Sequence, residues 1–118
     1  MPHVTTDPVR IPVPGGKVIN EHVGQVATST SAVSVAHMLA PSGWEEPFQT
    51  PEFDEITVVV RGSLHVDCDG QRYEVSAGQS IITKAGERVQ YSAGPLGAEY
   101  VAICLPAYTP ETAHREGS

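Results

Sequence analysis

Three side chains in this 118-residue chain have types and settings suited to moving a proton. Glu55 opens the β-branched run Ile56-Thr57-Val58-Val59-Val60, so it heads a strand. A carboxylate carried into an apolar interior loses hydration, its pKa rises, and it becomes a general acid or base near neutral pH. His37 shares the alternating phase of Val33, Val35 and Leu39. If that face points inward, its imidazole is a second candidate base. Tyr91 offers a phenol donor. Trp44 and Phe48 fall in an irregular, proline-bearing stretch and suit stacking on a flat ligand at a pocket mouth. Each type also has a purely structural role: a satisfied core histidine, a carboxylate bonded to a neighbouring strand, a packing aromatic. Cys104 lies among apolar residues and reads as buried filler rather than nucleophile. His65 alternates with the apolar residues of its strand and is expected to face out, while His3, His22 and His114 have no identifiable partner.

The elements that would hold these residues are short strands. Residues 1–16 carry four prolines and read as an extended arm. Strands are predicted over 17–23, 33–39, 56–60, 64–68, 71–75, 80–83, 88–92 and 98–105. Between them lie turn signals: Pro41-Ser42-Gly43, a turn or bulge at Arg61-Gly62-Ser63, the hairpin pair Asp69-Gly70, Ala77-Gly78, Lys84-Ala85-Gly86-Glu87 and a loop over 93–97. Residues 106–118 form a tail with a helical turn near 109–114. No long helical period occurs, so the pattern implies an all-β sandwich or barrel in one domain, 1–118.

Composition narrows the function. Only seven Lys and Arg stand against fourteen Asp and Glu, a net charge of −7, which opposes nucleic-acid and anionic-membrane surfaces. No apolar stretch is long enough to span a bilayer, and the first ten residues lack the apolar centre of a signal peptide. A reducing cytoplasm and two free thiols, Cys68 and Cys104, are expected. No Cys-x-x-Cys or His-rich spacing suggests zinc.

Gly43 is followed by five residues and Gln49-Thr50-Pro51, then by three and Glu55, then by six and Gly62. This frame resembles the first motif of the cupin family, G-x5-H-x-H-x3-E-x6-G. Gly70, five residues and Ser76-Ala77-Gly78, followed by Lys84-Ala85-Gly86-Glu87-Arg88-Val89, resemble the second. The resemblance spans residues 30–105 and implies a cupin-type double-stranded β-helix, or jelly-roll barrel, with a small-molecule pocket. Cupins hold a divalent metal through two His and one Glu of the first motif and one His of the second. Here those positions are Gln49, Pro51, Glu55 and Val89. Pro and Val offer no side-chain donor, so no metal and no cofactor are expected. The resemblance places Gln49 against the cavity, where an amide orients substrate but transfers no proton.

Residues 98–115, with Cys104-Leu105-Pro106-Ala107-Tyr108 and Glu111-Thr112-Ala113-His114-Arg115, resemble the tail of small bacterial cupins, which closes one barrel mouth. The chain is also similar to small cupin dehydratases of nucleoside-antibiotic pathways, which use acid–base residues. That likeness implies Lys17 and Glu111 as substrate-holding or polarising groups. The leading expectation is therefore a metal-independent lyase, dehydratase or isomerase, monomeric or homodimeric. His37 or Glu55 would abstract a proton next to a carbonyl, with Lys17, Tyr91 or Gln49 at the developing oxyanion. One alternative is a non-catalytic module that binds a sugar- or nucleoside-like ligand. Another is a metal-dependent dioxygenase or isomerase in which His37 joins Gln49 and Glu55.

Overall fold

The computed structural model describes residues 1–117. Seven strands and one helical turn follow each other in the order β1 (Val9–Ile11), β2 (Val18–Val23), β3 (Ser34–Ala40), β4 (Asp54–Cys68), β5 (Gln71–Ser76), β6 (Ser80–Thr83), β7 (Val89–Leu105) and α1 (Pro110–Ala113). The sheet order is β1-β2-β3-β7-β4-β5, with β6 also on β4, and every pairing is antiparallel. This is the jelly-roll architecture expected of the sequence.

The long pair β4 and β7 sets the shape. Their first joint stretch pairs Asp54 to Gly62 with Leu105 to Ala98, and the second pairs Leu64 to Cys68 with Ala93 to Val89. Between the two the register slips at Val59/Arg61 and again at Gly62/Leu64. The first slip gives β4 one extra residue and the second gives β7 three, and the strands bend there, so one ribbon serves two walls of the barrel. Gly62 sits at that corner with φ +74°, and a Cβ there would stand 2.1 Å from the carbonyl oxygen of Gly97. Only glycine meets both conditions. Of the turn or bulge expected at 61–63 the structure shows the bulge, and the loop predicted at 93–97 is corrected to a bend within a continuous β7. The Gly and Pro that look like strand breakers mark a corner.

Beyond the ribbon, β3 adds to β7 from Ser34↔Cys104 to Ala40↔Ala98, β2 adds to β3, and residues 9–11 of the arm add to β2. Asp69 and Gly70, both at positive φ, close the β4–β5 hairpin as their sequence predicts. Burial follows period two: Glu55, Thr57 and Val59 point inward from the first half of β4, and Leu64, Val66 and Cys68 from the second. One core cluster gathers Trp44, Val59, Leu64, Val66, Val89 and Tyr100; a second holds Phe53, Cys104 and Ala113. The cavity described next is lined by members of both.

A candidate acid–base pocket

β2, β3, β4 and β7 each give an inward face to one cavity of about 60 Å³. Ala36 and Met38 line it from β3, Glu55 from β4, and Tyr91, Tyr100, Ala102 and Cys104 from β7. The arm contributes Ile11, Val13 and Lys17; the stretch before β4 contributes Glu46 and Gln49; the tail contributes Tyr108 and Arg115. Three stretches flanking the main strands, one before β2, one before β4 and one after β7, therefore complete the pocket.

Local structure explains how they reach it. Gly15 and Gly16, both at positive φ, turn the arm so that Lys17 lies over the barrel. The Lys17 Nζ stands 4.0 Å from the centroid of the Trp44 ring and 5.3 Å from that of Tyr100. The tail is pinned by backbone bonds, Glu52 N–H to Thr112 O at 2.9 Å and Glu116 N–H to Phe48 O at 2.9 Å. Glu116 also grips Arg88 through both carboxylate oxygens, at 2.6 and 2.8 Å. Arg115 is thereby carried inward, where its Nη2 donates to Glu46 Oε2 at 3.0 Å. Gln49 is fixed by a reciprocal backbone pair with Val89, at 2.9 and 2.8 Å. Its side-chain Oε1 is buried and has no hydrogen-bond partner among the described residues.

Burial dominates the electrostatics. It pushes the Glu55 carboxyl up to about 7. The charge of Glu46 adds to that rise, while Lys17, Arg115 and the Cys104 thiol hold it back. Burial also raises Glu46, against the pull of Lys17 and Arg115, and lowers Lys17, against the pull of Glu46 and Glu55. Tyr91 is driven well above the ordinary phenol range, first by burial and then by Glu55. Its hydroxyl shares a bond with Thr83 Oγ1 at 2.9 Å. Cys104 is raised by burial and by Glu55, which marks it as a neutral thiol and not a nucleophile.

Of the residues singled out in the sequence, the structure brings Lys17, Gln49, Glu55 and Tyr91 together around this cavity. It places four elsewhere. His37 lies on the outer face of β3, its Nε2 2.8 Å from Glu99 Oε2, and Glu99 in turn holds Arg61. Those two hydrogen bonds draw the Glu99 carboxyl below its usual value, His37 contributing most. The cavity-facing positions of β3 are Ser34, Ala36 and Met38, not the larger aliphatic residues that share the phase of His37. A phase reversed by one residue turns every side chain to the opposite face. Trp44 is buried under the Lys17 ammonium within the core and does not stand at a mouth. Phe48 stacks under the Arg88 guanidinium, 3.9 Å away, outside the cavity lining. Glu111 is exposed in the first turn of α1, which Thr109 caps. His114, without an assigned partner in the sequence, pairs with Glu52, and His65 pairs with Glu74.

Glu46 and Arg115 are cavity-lining residues that the sequence reading passes over. Their ion pair joins positions 69 residues apart, so no local spacing marks it. Glu21 also lines the cavity, but its Oε2 already accepts the backbone N–H groups of Val26 and Ala27 at 3.0 and 2.8 Å.

A divalent metal does not fit the residues present. Gln49 and Glu55 are the only donors at the four motif positions, and Val89 is fully buried in the core. The cationic groups of Lys17 and Arg115 share the same cavity, where they would repel a cation. Among the described residues, one trio of His, Cys, Asp or Glu is close enough to share an ion: Cys68, Asp69 and Glu87, none of which lines the cavity.

Comparison with known proteins gives a match to the cupin domain over residues 36–103. A curated relative from Myxococcus xanthus (strain DK1622), named endoribonuclease YbeY, is 48% identical over 107 residues, which is 90% of this chain and 36% of the relative. The chain spans about a third of the length of the curated relatives it matches. Among solved structures, an RmlC-like cupin from Shewanella frigidimarina NCIMB 400 superposes with a TM-score of 0.75 at 17% identity, covering 91% of this chain and 93% of that one. KdgF from Halomonas sp. gives a TM-score of 0.72 at 16% identity, covering 85% and 89%. At such identities the two structures speak to the fold alone.

Proposed function

The chain belongs to the cupin family, and on that premise we propose that it is an enzyme that moves protons on a small polar substrate without a metal: a lyase, dehydratase or isomerase. The observation that carries this reading is the Glu55 carboxyl enclosed in the same cavity as Lys17, where burial pushes it up to about 7. A group with that pKa is present in both forms at neutral pH, which suits proton abstraction followed by proton return.

In this scheme ionised Glu55 takes a proton from a carbon next to a carbonyl or carboxyl group. The electron pair of the broken C–H bond moves onto the neighbouring oxygen, which the Lys17 ammonium stabilises. Protonated Glu55 then returns the proton, either to another carbon, completing an isomerisation, or to a departing hydroxyl, which leaves as water. Gln49 Oε1 is available to accept from a substrate hydroxyl, and the Tyr91–Thr83 pair keeps one wall rigid. RNA does not fit as the substrate, because a net charge of −7 offers no track for its phosphates.

Solvent deuterium exchange tests the scheme. The native protein is incubated in heavy water with three- and four-carbon 2-oxo, 3-oxo and 3-hydroxy acids, and loss of C–H signal is followed by proton NMR. Native protein is expected to exchange at least one of them, and Glu55→Gln to slow that exchange about a hundredfold or more. Exchange unaffected by Glu55→Gln removes the scheme. Binding of these acids with no exchange by native protein makes the pocket one that captures without turnover.

A further inference from the structure

The Lys17 ammonium rests on the faces of Trp44 and Tyr100, and among the described residues no carboxylate lies within ion-pair distance of it. Ring faces attract a cation but give its three N–H donors no acceptor. Two acids act on it from within the cavity. Glu46 is already engaged by Arg115 at 3.0 Å, and Glu55 holds a proton through much of the range below neutrality. A poorly hydrated ammonium in that setting favours an incoming anion. The same cavity contains one buried acceptor without a donor, Gln49 Oε1. Its volume, about 60 Å³, equals room for about four to six water-sized atoms. A hexose or nucleoside would have to extend beyond it.

From this juxtaposition we propose that the cavity takes a small hydroxy-carboxylate, its carboxylate on Lys17 and its hydroxyl donating to Gln49 Oε1. The inference rests on the acid–base reading above for its interest but not for its test. It assigns the substrate class and names Lys17 and Gln49 as the residues that select it. Ionised Glu55 weakens anion entry without barring it, so the carboxylate form that abstracts the proton is still reached with the ligand bound. The other charged or titratable groups lining the cavity with Glu55 are Lys17 just before β2, Glu21 from β2, Glu46 from the stretch before β4, Tyr91, Tyr100 and Cys104 from β7, and Tyr108 and Arg115 from the tail. Of these, Lys17 titrates in a direction that also weakens anion binding as pH rises.

Trp44 is the only tryptophan in the chain and lies directly beneath Lys17, so its fluorescence reports occupancy. Titrations at constant ionic strength use glycolate and lactate, with acetate lacking the hydroxyl and lactamide lacking the charge. Glycolate and lactate are expected to bind saturably, acetate about fivefold more weakly for its lost hydrogen bond, and lactamide not at all. Because ionised Glu55 weakens but does not bar the ligand, affinity is expected to fall severalfold between pH 6 and 8.5, within the limit of about thirtyfold set by a pKa of about 7. Glu55→Gln should remove most of that fall, Gln49→Leu the preference for glycolate over acetate, and Lys17→Met the binding itself. Lactamide probes the native protein and keeps the test decisive should Lys17→Met fold poorly. Equal titration by lactamide, an unchanged titration in folded Lys17→Met, or no saturable change overturns the proposal. Lys17-dependent binding without deuterium exchange leaves this site standing and removes the acid–base reading; exchange without Lys17-dependent binding does the reverse.

Discussion

Replacing Glu55 with Gln should stabilise the protein, and by an amount that depends on pH in one direction. The carboxyl titrates at about 7 in the folded chain against an ordinary value of 4.5. That gap corresponds to about 3 kcal/mol at about 1.4 kcal/mol per pH unit. The sign follows from which state holds the proton. Below pH 4.5 folded and unfolded chains are both protonated at this position and Glu55 costs nothing through ionisation. Between 4.5 and 7 the unfolded chain ionises first, so stability falls as pH rises. Above 7 both states are ionised and the full penalty, about 3 kcal/mol, stays in place. Glutamine has nearly the same shape and cannot ionise. Urea unfolding of the native protein and Glu55→Gln, at half-unit steps from pH 4 to 8.5, isolates the effect, because every other titrating group largely cancels in the difference. The variant should gain on the native protein progressively across this window and level off above pH 7.5. A difference that is flat with pH, or that narrows as pH rises, would refute the claim that burial governs this carboxyl.

Arg115→Ala should cost about 2 kcal/mol in urea unfolding, less than a fully buried pair would because the Arg115 side chain is 27% exposed. The same variant should raise the Glu55 midpoint further, since Arg115 is one of the charges holding it down. Gly62→Ala should lose about 3–5 kcal/mol, read by guanidinium unfolding, because the new Cβ would meet the Gly97 carbonyl at a positive φ. His37→Ala should leave deuterium exchange and carboxylate binding at native levels, with Glu99 losing its strongest partner and its carboxyl rising toward the ordinary value by NMR titration.

Much of the barrel is legible in the sequence because its signals are local. Alternation along 64–68 and 71–75 with Asp69-Gly70 between them fixes a hairpin and its register. The resemblance of the Gly43, Gln49, Glu55 and Gly62 frame to the first cupin motif implies an amide and a carboxylate against the cavity. The failures have physical causes of a different range. His37 is misplaced because the face toward the cavity is made of Ser, Ala and Met, and hydrophobicity therefore marks the wrong side of β3. The β4–β7 corner reads as two interrupted strands because the chemistry of a bulge resembles that of a turn. Trp44 reads as a mouth residue because nothing nearby in sequence reveals that Lys17, brought over by the Gly15-Gly16 turn, lies on top of it. Arg115 and Glu46 find each other only when the tail folds back across the barrel.

The most direct test of the account is a carbon-13 NMR titration of the Glu55 side-chain carboxyl in protein labelled at that carbon, assigned by its loss in Glu55→Gln. A midpoint of about 7 is expected. A midpoint near 4.5 would contradict the claim that this pocket holds a proton-shuttling carboxyl.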